Sequence, residues 1–305
     1  MKRAVSIGEC MVELSGGEGS LYRLGYAGDT FNTAYYLRRC LPDAWAVDYL
    51  SAVGDDRYSD GMVEFIAASG VGTGAIARLP GKRPGLYVIH QHEGDRQFTY
   101  WRDSAAARHL ADDPDALRTG LEGAGILYFS GITLGILSPE ARARLLAALG
   151  EAREAGARVG FDPNIRPALW PDVTALRSAV MQAAAVATIV LPTHADEAPY
   201  FGDHDGEATA ARYLAAGAEE VVVKNGSHPA LVATRDAPEP IAVPCAPVEH
   251  VVDATGAGDS FNAGYIAARV EGASPVGAAR VGHAVAAQVL GSHGALVPAE
   301  RFRTV

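Results

Sequence analysis

Short apolar runs of five to eight residues alternate with longer stretches of helical periodicity along most of the chain, and this alternation restricts the fold more than any other feature. Two parallel strands can be joined only by a crossover of a dozen or more residues, usually a helix. The pattern therefore predicts an α/β fold, a three-layer α/β/α sandwich around a largely parallel central sheet. Strands are expected at 3–8, 46–53, 125–130, 157–161, 187–191 and 220–224. The clearest helix is 138–156, with a serine cap, a proline in the first turn, leucines on one face and a terminal glycine. Further helices are expected at 172–185, 206–216, 259–271 and 274–290.

Two regions break the alternation. Residues 11–33 and 83–102 contain short extended segments, "LYRLGYAG", "GLYVIHQ" and "RQFTYW", with glycines and the turn "HEGDR" between them. They are expected to form a small separate β-sheet, a lid. Nothing repeats at a fixed period and no Ser/Pro-rich linker appears, so residues 1–305 are expected to form a single domain.

Composition excludes several function classes. A formal charge of -10 opposes nonspecific attraction to nucleic acid or an anionic membrane, so an anionic ligand must be held by a few local cations and backbone amides. No stretch reaches the roughly 20 apolar residues of a membrane span. Glu9 interrupts the apolar start "MKRAVSIGECMVEL", which reads as a first strand and not as a signal peptide. Cys10, Cys40 and Cys245 are odd in number and far apart, which suits a reducing compartment, the cytoplasm. There is no GxxxxGK[ST], no GxGxxG opening a helix, no HExxH and no GxSxG.

The chemistry then falls to "DATGAGDSFNAGY", 253–265. Small residues at Gly256, Ala257 and Gly258 allow a tight turn whose free N–H groups converge, and Asp259 follows in the first helical turn, where the helix dipole should keep it ionised. A carboxylate beside an anion hole suits phosphoryl transfer: amides neutralise the migrating group while the carboxylate orients a hydroxyl and takes its proton. The plainer alternative is a helix cap after a turn.

The full string D-x-T-G-A-G-D-x-F-N-A-G resembles the C-terminal signature of the ribokinase-like, or PfkB-type, carbohydrate kinases, and "AGDTFNTAYYLRRC", 27–40, resembles their N-terminal signature. "IGECMVELS", "RPGLYVI", "TYWRDSAA", "FSGITLGILSP" and "FDPNIRPALW" are similar to strings of the 2-keto-3-deoxygluconate kinases within that family. The resemblance implies ATP and Mg²⁺ as cofactors, a lid over the sugar, and phosphorylation of a primary hydroxyl with Asp259 as base.

It further implies substrate contacts from Gly28, Asn32, Tyr87, Tyr100, Arg102 and Arg166. Two arginines over one sugar call for an anionic substrate, because a buried unpaired guanidinium is costly; their plainer partners are Asp103 for Arg102 and Asp162 for Arg166. For the nucleotide it implies Lys224, Gly226 and His283, the last otherwise a packing histidine on an apolar helix. Thr193 and Asp196 stand where the family has Asn-x-x-Glu, with Asp196 an indirect metal contact and Glu197 a nearby substitute. Carbonyls near Asp253, Thr255 and Gly294 are the implied site of a monovalent cation such as K⁺. Alternatives are a kinase of a neutral ketose or nucleoside, and a catalytically silent sugar-binding regulator. A homo-oligomer through the lid is expected.

Overall fold

The fold is described from a computed structural model, which describes residues 2–16, 21–92, 95–245, 248 and 250–304. The strands are β1 (Lys2–Ile7), β2 (Met11–Gly16), β3 (Tyr22–Ala27), β4 (Trp45–Val53), β5 (Ile76–Arg78), β6 (Leu86–His92), β7 (Asp95–Trp101), β8 (Ile126–Ser130), β9 (Arg158–Asp162), β10 (Ile189–Val190), β11 (Glu220–Val223), β12 (Ala230–Thr234) and β13 (Ala237–Val243). The helices are α1 (Asp29–Cys40), α2 (Arg57–Ala68), α3 (Pro114–Leu121), α4 (Gly131–Ile136), α5 (Pro139–Glu154), α6 (Val173–Val186), α7 (His194–Phe201), α8 (Gly206–Ala215), α9 (Ala257–Val270) and α10 (Pro275–Leu290).

A nine-stranded sheet runs β13-β12-β11-β10-β9-β8-β1-β4-β5, parallel from β11 to β5 and antiparallel across β12 and β13. Successive side chains of a strand face opposite ways, so β1 and β8 feed two apolar layers. Val5, Ile7, Leu127 and Phe129 join Leu121 of α3, Leu145 of α5, Leu176 of α6 and Tyr213 of α8. Ala4, Ile126 and Tyr128 join Phe31 of α1, Met62 of α2, Tyr265 of α9 and Val285 of α10. Both layers are closed to water, which makes the three-layer sandwich.

Differences from expectation have local causes. Only Ile189–Val190 of 187–191 is strand: the backbone N–H of Thr188 still reaches Val159 O at 2.8 Å, but the N–H of Val159 is diverted to the Thr188 hydroxyl at 2.8 Å. The hairpin β12–β13 was not expected; its outer strand "APEPIAV" is mostly exposed and carries two prolines, which the open edge of a sheet accommodates.

A second sheet, β3-β2-β6-β7, comes from the two irregular regions. The first is shorter than expected, since Asp29 already opens α1 and residues 29–33 are helical. Residues 17–20, and 93–94 in the "HEGDR" turn, lie outside the described residues. Register pairs Glu13 with Tyr87 and Tyr87 with Tyr100, so these three share one face. Leu14, Leu24 and Val88 share the other.

Candidate active site

Parallel sheets bind ligands beyond the carboxyl ends of their strands. Here β1, β9 and β11 end at a cleft of about 780 Å³, which the N-termini of α1 and α9 also meet. The small sheet forms its opposite wall, through Tyr87, Phe98 and Tyr100.

Gly256 caps α9 with φ 78°, and a Cβ there would lie 2.8 Å from the carbonyl oxygen of Ala295, so both conformation and space require glycine. The N–H of Ala257 bonds back to Ala254 O at 3.2 Å, and that of Ser260 to Gly256 O at 2.9 Å. Between them, the N–H groups of Gly258 and Asp259 have no acceptor among the described residues. They are the donors open to an anion. Ala257, expected with them, is not: its amide is spent in the turn and its residue is absent from the cleft lining.

Asp259 accepts from Asn32 Nδ2 at 2.8 Å. Its carboxyl does not keep the ordinary acidity the helix dipole suggests. Burial first, then the charge of Asp29, push its pKa up to about 7, against the opposing pull of Asn32 and Lys224. Asn32 was expected to reach for a sugar hydroxyl, yet its carboxamide is occupied by Asp259 and, at 3.4 Å, by the N–H of Gly28. Gly28 lines the cleft, but the close approach that demands glycine is to Glu9, whose carbonyl oxygen would lie 2.2 Å from a Cβ.

Each arginine already has a carboxylate partner, which corrects the expectation of unpaired guanidiniums. Arg102 reaches back from the lid to the buried Glu9 through Nη2 and Oε2, leaving Arg102 Nε and Glu9 Oε1 without partners. Arg166 stands 3.8 Å from Asp196, not at Asp162, and is 49 % exposed. Apart from that and a bond to Ile165 O, its donors face the cleft unbonded among the described residues. Tyr87 is buried and donates to Glu13, so its hydroxyl is also occupied, whereas Tyr100 is half exposed with its ring 5.8 Å from that of Tyr87.

On the other wall, Lys224 Nζ donates to Asp162 at 2.6 Å and to Asn262 at 3.1 Å. Lys224 thus has an acidic partner within the cleft, its own side chain mostly covered, and its Nζ is close enough that a Cβ on Gly258 would lie 3.6 Å away. Asn262 Nδ2 also reaches Asp162 at 2.6 Å, which locks the second turn of α9 to β9. Thr193 and Asp196 line the cleft, and Thr193 makes no side-chain cap of α7. Glu197 turns away, fully buried against Arg212 at 2.8 Å and Tyr213 at 2.8 Å, with its pKa raised by burial to about 7.

Two expected nucleotide contacts are outside the lining. Gly226 sits in the turn after β11 at φ 59°. His283 packs edge-on against Phe261 and bonds the carbonyl of Val243 at 3.2 Å, as a packing histidine does. Sequence reasoning missed Glu9, Asp29, Asp162 and Asn164. Asp162 and Asn164 stand in the quoted "DPNIRP", Asp29 follows Gly28 and Glu9 interrupts the first apolar run, but their partners are remote in sequence.

Residues 1–301 match the pfkB family of carbohydrate kinases. The chain belongs to that family. It is 41 % identical over 304 residues to the 2-dehydro-3-deoxygluconokinase of Dickeya dadantii (strain 3937), covering 98 % of each chain. It is 40 % identical over 306 residues to the 2-dehydro-3-deoxygluconokinase of Escherichia coli (strain K12), again covering 98 % of each. Among solved structures, a candidate ribokinase II from E. coli in complex with ATP and Mg²⁺ superposes with a TM-score of 0.84 at 25 % identity, over 97 % of this chain and 94 % of the other. The ribokinase-like fold expected from sequence is the fold present.

Proposed function

We propose that the protein is an ATP-dependent 2-dehydro-3-deoxygluconokinase that transfers the γ-phosphoryl group to the C6 hydroxyl of 2-keto-3-deoxygluconate. The observation that carries the chemistry is the pairing of Asp259 with the free amides of Gly258 and Asp259 at one point of the cleft. Asp259 takes the proton of the attacking hydroxyl, Asn32 holds that carboxylate in place, and the amides meet the charge on the migrating group. Lys224, fixed against Gly258 by Asp162, adds a positive charge beside the same loop.

The substrate reading rests on the relatives' common activity and on Arg166, whose open donors suit a carboxylate. Arg102 is hydrogen-bonded to Glu9, whereas Asp196 stands 3.8 Å from Arg166 without a hydrogen bond, so the guanidinium with donors open to a sugar acid's carboxylate is that of Arg166. Tyr100 supplies an apolar wall for the carbon chain.

Mg²⁺ is bound mostly by phosphate oxygens and water, with one or two carboxylates. Asp196 beside Thr193 fits that donor set, since the neighbouring carboxylate of Asp162 is taken up by Lys224, Asn262 and the N–H of Asn164, and among the described residues no group of three or more His, Cys, Asp or Glu forms a dedicated metal cage. When bound with ATP, Mg²⁺ supplies neutralisation of phosphate charge. The monovalent cation remains a proposal from the family resemblance, at the carbonyls near Asp253, Thr255 and Gly294.

The lid's outer face presents Tyr22, Leu24 and Trp101, each close to half exposed or more, which suits cover by a second copy of the chain. Among the described residues no helix is long and apolar enough to cross a membrane, and the cytoplasm is the proposed location.

An acceptor panel under a coupled ADP assay tests the substrate: 2-keto-3-deoxygluconate, fructose, ribose and adenosine, each with ATP and Mg²⁺. The acid should be preferred in kcat/KM by at least about a hundredfold. Preference for a neutral ketose or nucleoside would refute the sugar-acid reading, and no turnover on any acceptor would favour a silent sugar-binding regulator.

A further inference from the structure

Asn164 is the non-glycine residue that takes a positive φ among the described residues, at 34°. Asparagine tolerates this region better than most side chains but still at a cost, and strain of this kind collects at functional sites. Asp162 Oδ1 holds the conformation by accepting from the N–H of Asn164 at 3.0 Å. The strained residue in turn places its Nδ2 2.9 Å from Asp29 Oδ2, while Asp29 Oδ1 accepts from Thr30 N at 2.8 Å. The Asp29 carboxylate is thus fixed at both oxygens, lines the cleft, and has no ion-pair partner among the described residues.

It is fixed beside a like charge. Asp29 lies three residues before Asn32 on α1, so the two share a helix face, and Asn32 bonds Asp259. The hydroxyl of Thr33 lies 3.1 Å from the carbonyl of Asp29 and 3.3 Å from that of Asp259, which joins the first turns of α1 and α9 directly. Bringing two carboxylates together through a strained residue does nothing for stability.

The other groups around Asp259 do not cancel the repulsion. Asp162 from β9 adds negative charge, and Lys224 at the end of β11 is committed to Asp162 at 2.6 Å. Asn32 from α1 is neutral. Around Asp29 stand Asn164, the Glu9–Arg102 pair and Tyr100.

Resting on the reading of Asp259 as base, we propose that Asp29 is a positioning residue for phosphoryl transfer, a second carboxylate held in the cleft so that its charge keeps Asp259 an effective proton acceptor. The upward shift of Asp259, in which Asp29 is the largest cause after burial, agrees with this. A base that titrates near neutrality takes a hydroxyl proton better than one of ordinary carboxylate strength.

Single-turnover rates between about pH 5 and 9 test it, with 2-keto-3-deoxygluconate and saturating ATP and Mg²⁺, on the wild type, Asp29→Asn, Asn164→Gly and Asp259→Asn. The rising limb of the Asp29→Asn profile should move about one pH unit lower, with a plateau roughly three- to tenfold slower. Asn164→Gly suits the positive φ and removes only the clamp, so it should shift the limb the same way by less, and it serves if Asp29→Asn does not fold. Coincident limbs in the folded variants overturn the proposal, as does a loss confined to the KM of the sugar acid. Asp259→Asn separates the two levels: if it is inactive the base reading stands whatever Asp29 does, and if it is active that reading falls and this one with it.

Discussion

Burying the Asp259 carboxyl beside Asp29 favours its protonated form in the fold. Between the ordinary value of 3.8 and about 7, the native chain therefore holds more protons than the unfolded one. Stability falls as pH rises through that window. Without ligands, Asp259→Asn should melt a few degrees above the wild type at about pH 8 and level with it near pH 4, read by calorimetry; an equal gap at both values would contradict this sign. The two cleft arginines should separate as sharply. Arg102→Ala leaves Glu9 buried and alone, a loss of about 3–5 kcal/mol less whatever Glu9 recovers by taking up a proton. Arg166→Ala removes a half-exposed side chain, so it should change stability by less than about 0.5 kcal/mol while raising the KM for the acid at least tenfold. Thermal melts and steady-state kinetics on both variants decide it.

The elements that build the site are short and their ends matter most. Alanine at 256 would need φ 78° and a contact of 2.8 Å with Ala295 O, so it should cost about 1–3 kcal/mol and shift the amides of Gly258 and Asp259. If the amides serve the migrating group as proposed, kcat falls by about tenfold or more with the KM for the sugar little changed. Much of this was legible in the sequence because it is local: the apolar runs of β1, β8 and β9, the caps of α5 and α10, and the glycine turn before Asp259 are each set by residues a few positions apart. The partners were not. Asn32 meets Asp259, Arg102 meets Glu9 and Asn164 meets Asp29 across more than ninety residues each, and only the register of the sheet and the approach of α1 to α9 bring them together. The antiparallel hairpin β12–β13 escaped for a different reason, since its outer strand is mostly exposed, carries two prolines and has neither clean period.

The whole molecule is a two-sided sandwich with a second sheet over the strand ends, so Asn32, Lys224 and Asp259 are set on the sandwich and Tyr87, Tyr100 and Arg102 on or just after the second sheet. With Leu24 and Trp101 on the lid's outer face, light scattering should give twice the chain mass, and Leu24→Asp should reduce it towards one; a wild-type mass of one chain would refute the lid dimer. The central claim, that Asp259 is the proton acceptor, has a direct measurement: turnover and calorimetric affinity of Asp259→Asn with 2-keto-3-deoxygluconate, ATP and Mg²⁺. Binding should survive within about tenfold while kcat falls by roughly 10²–10⁴. A variant that binds both substrates and still turns over at a tenth of the wild-type rate or faster would contradict it.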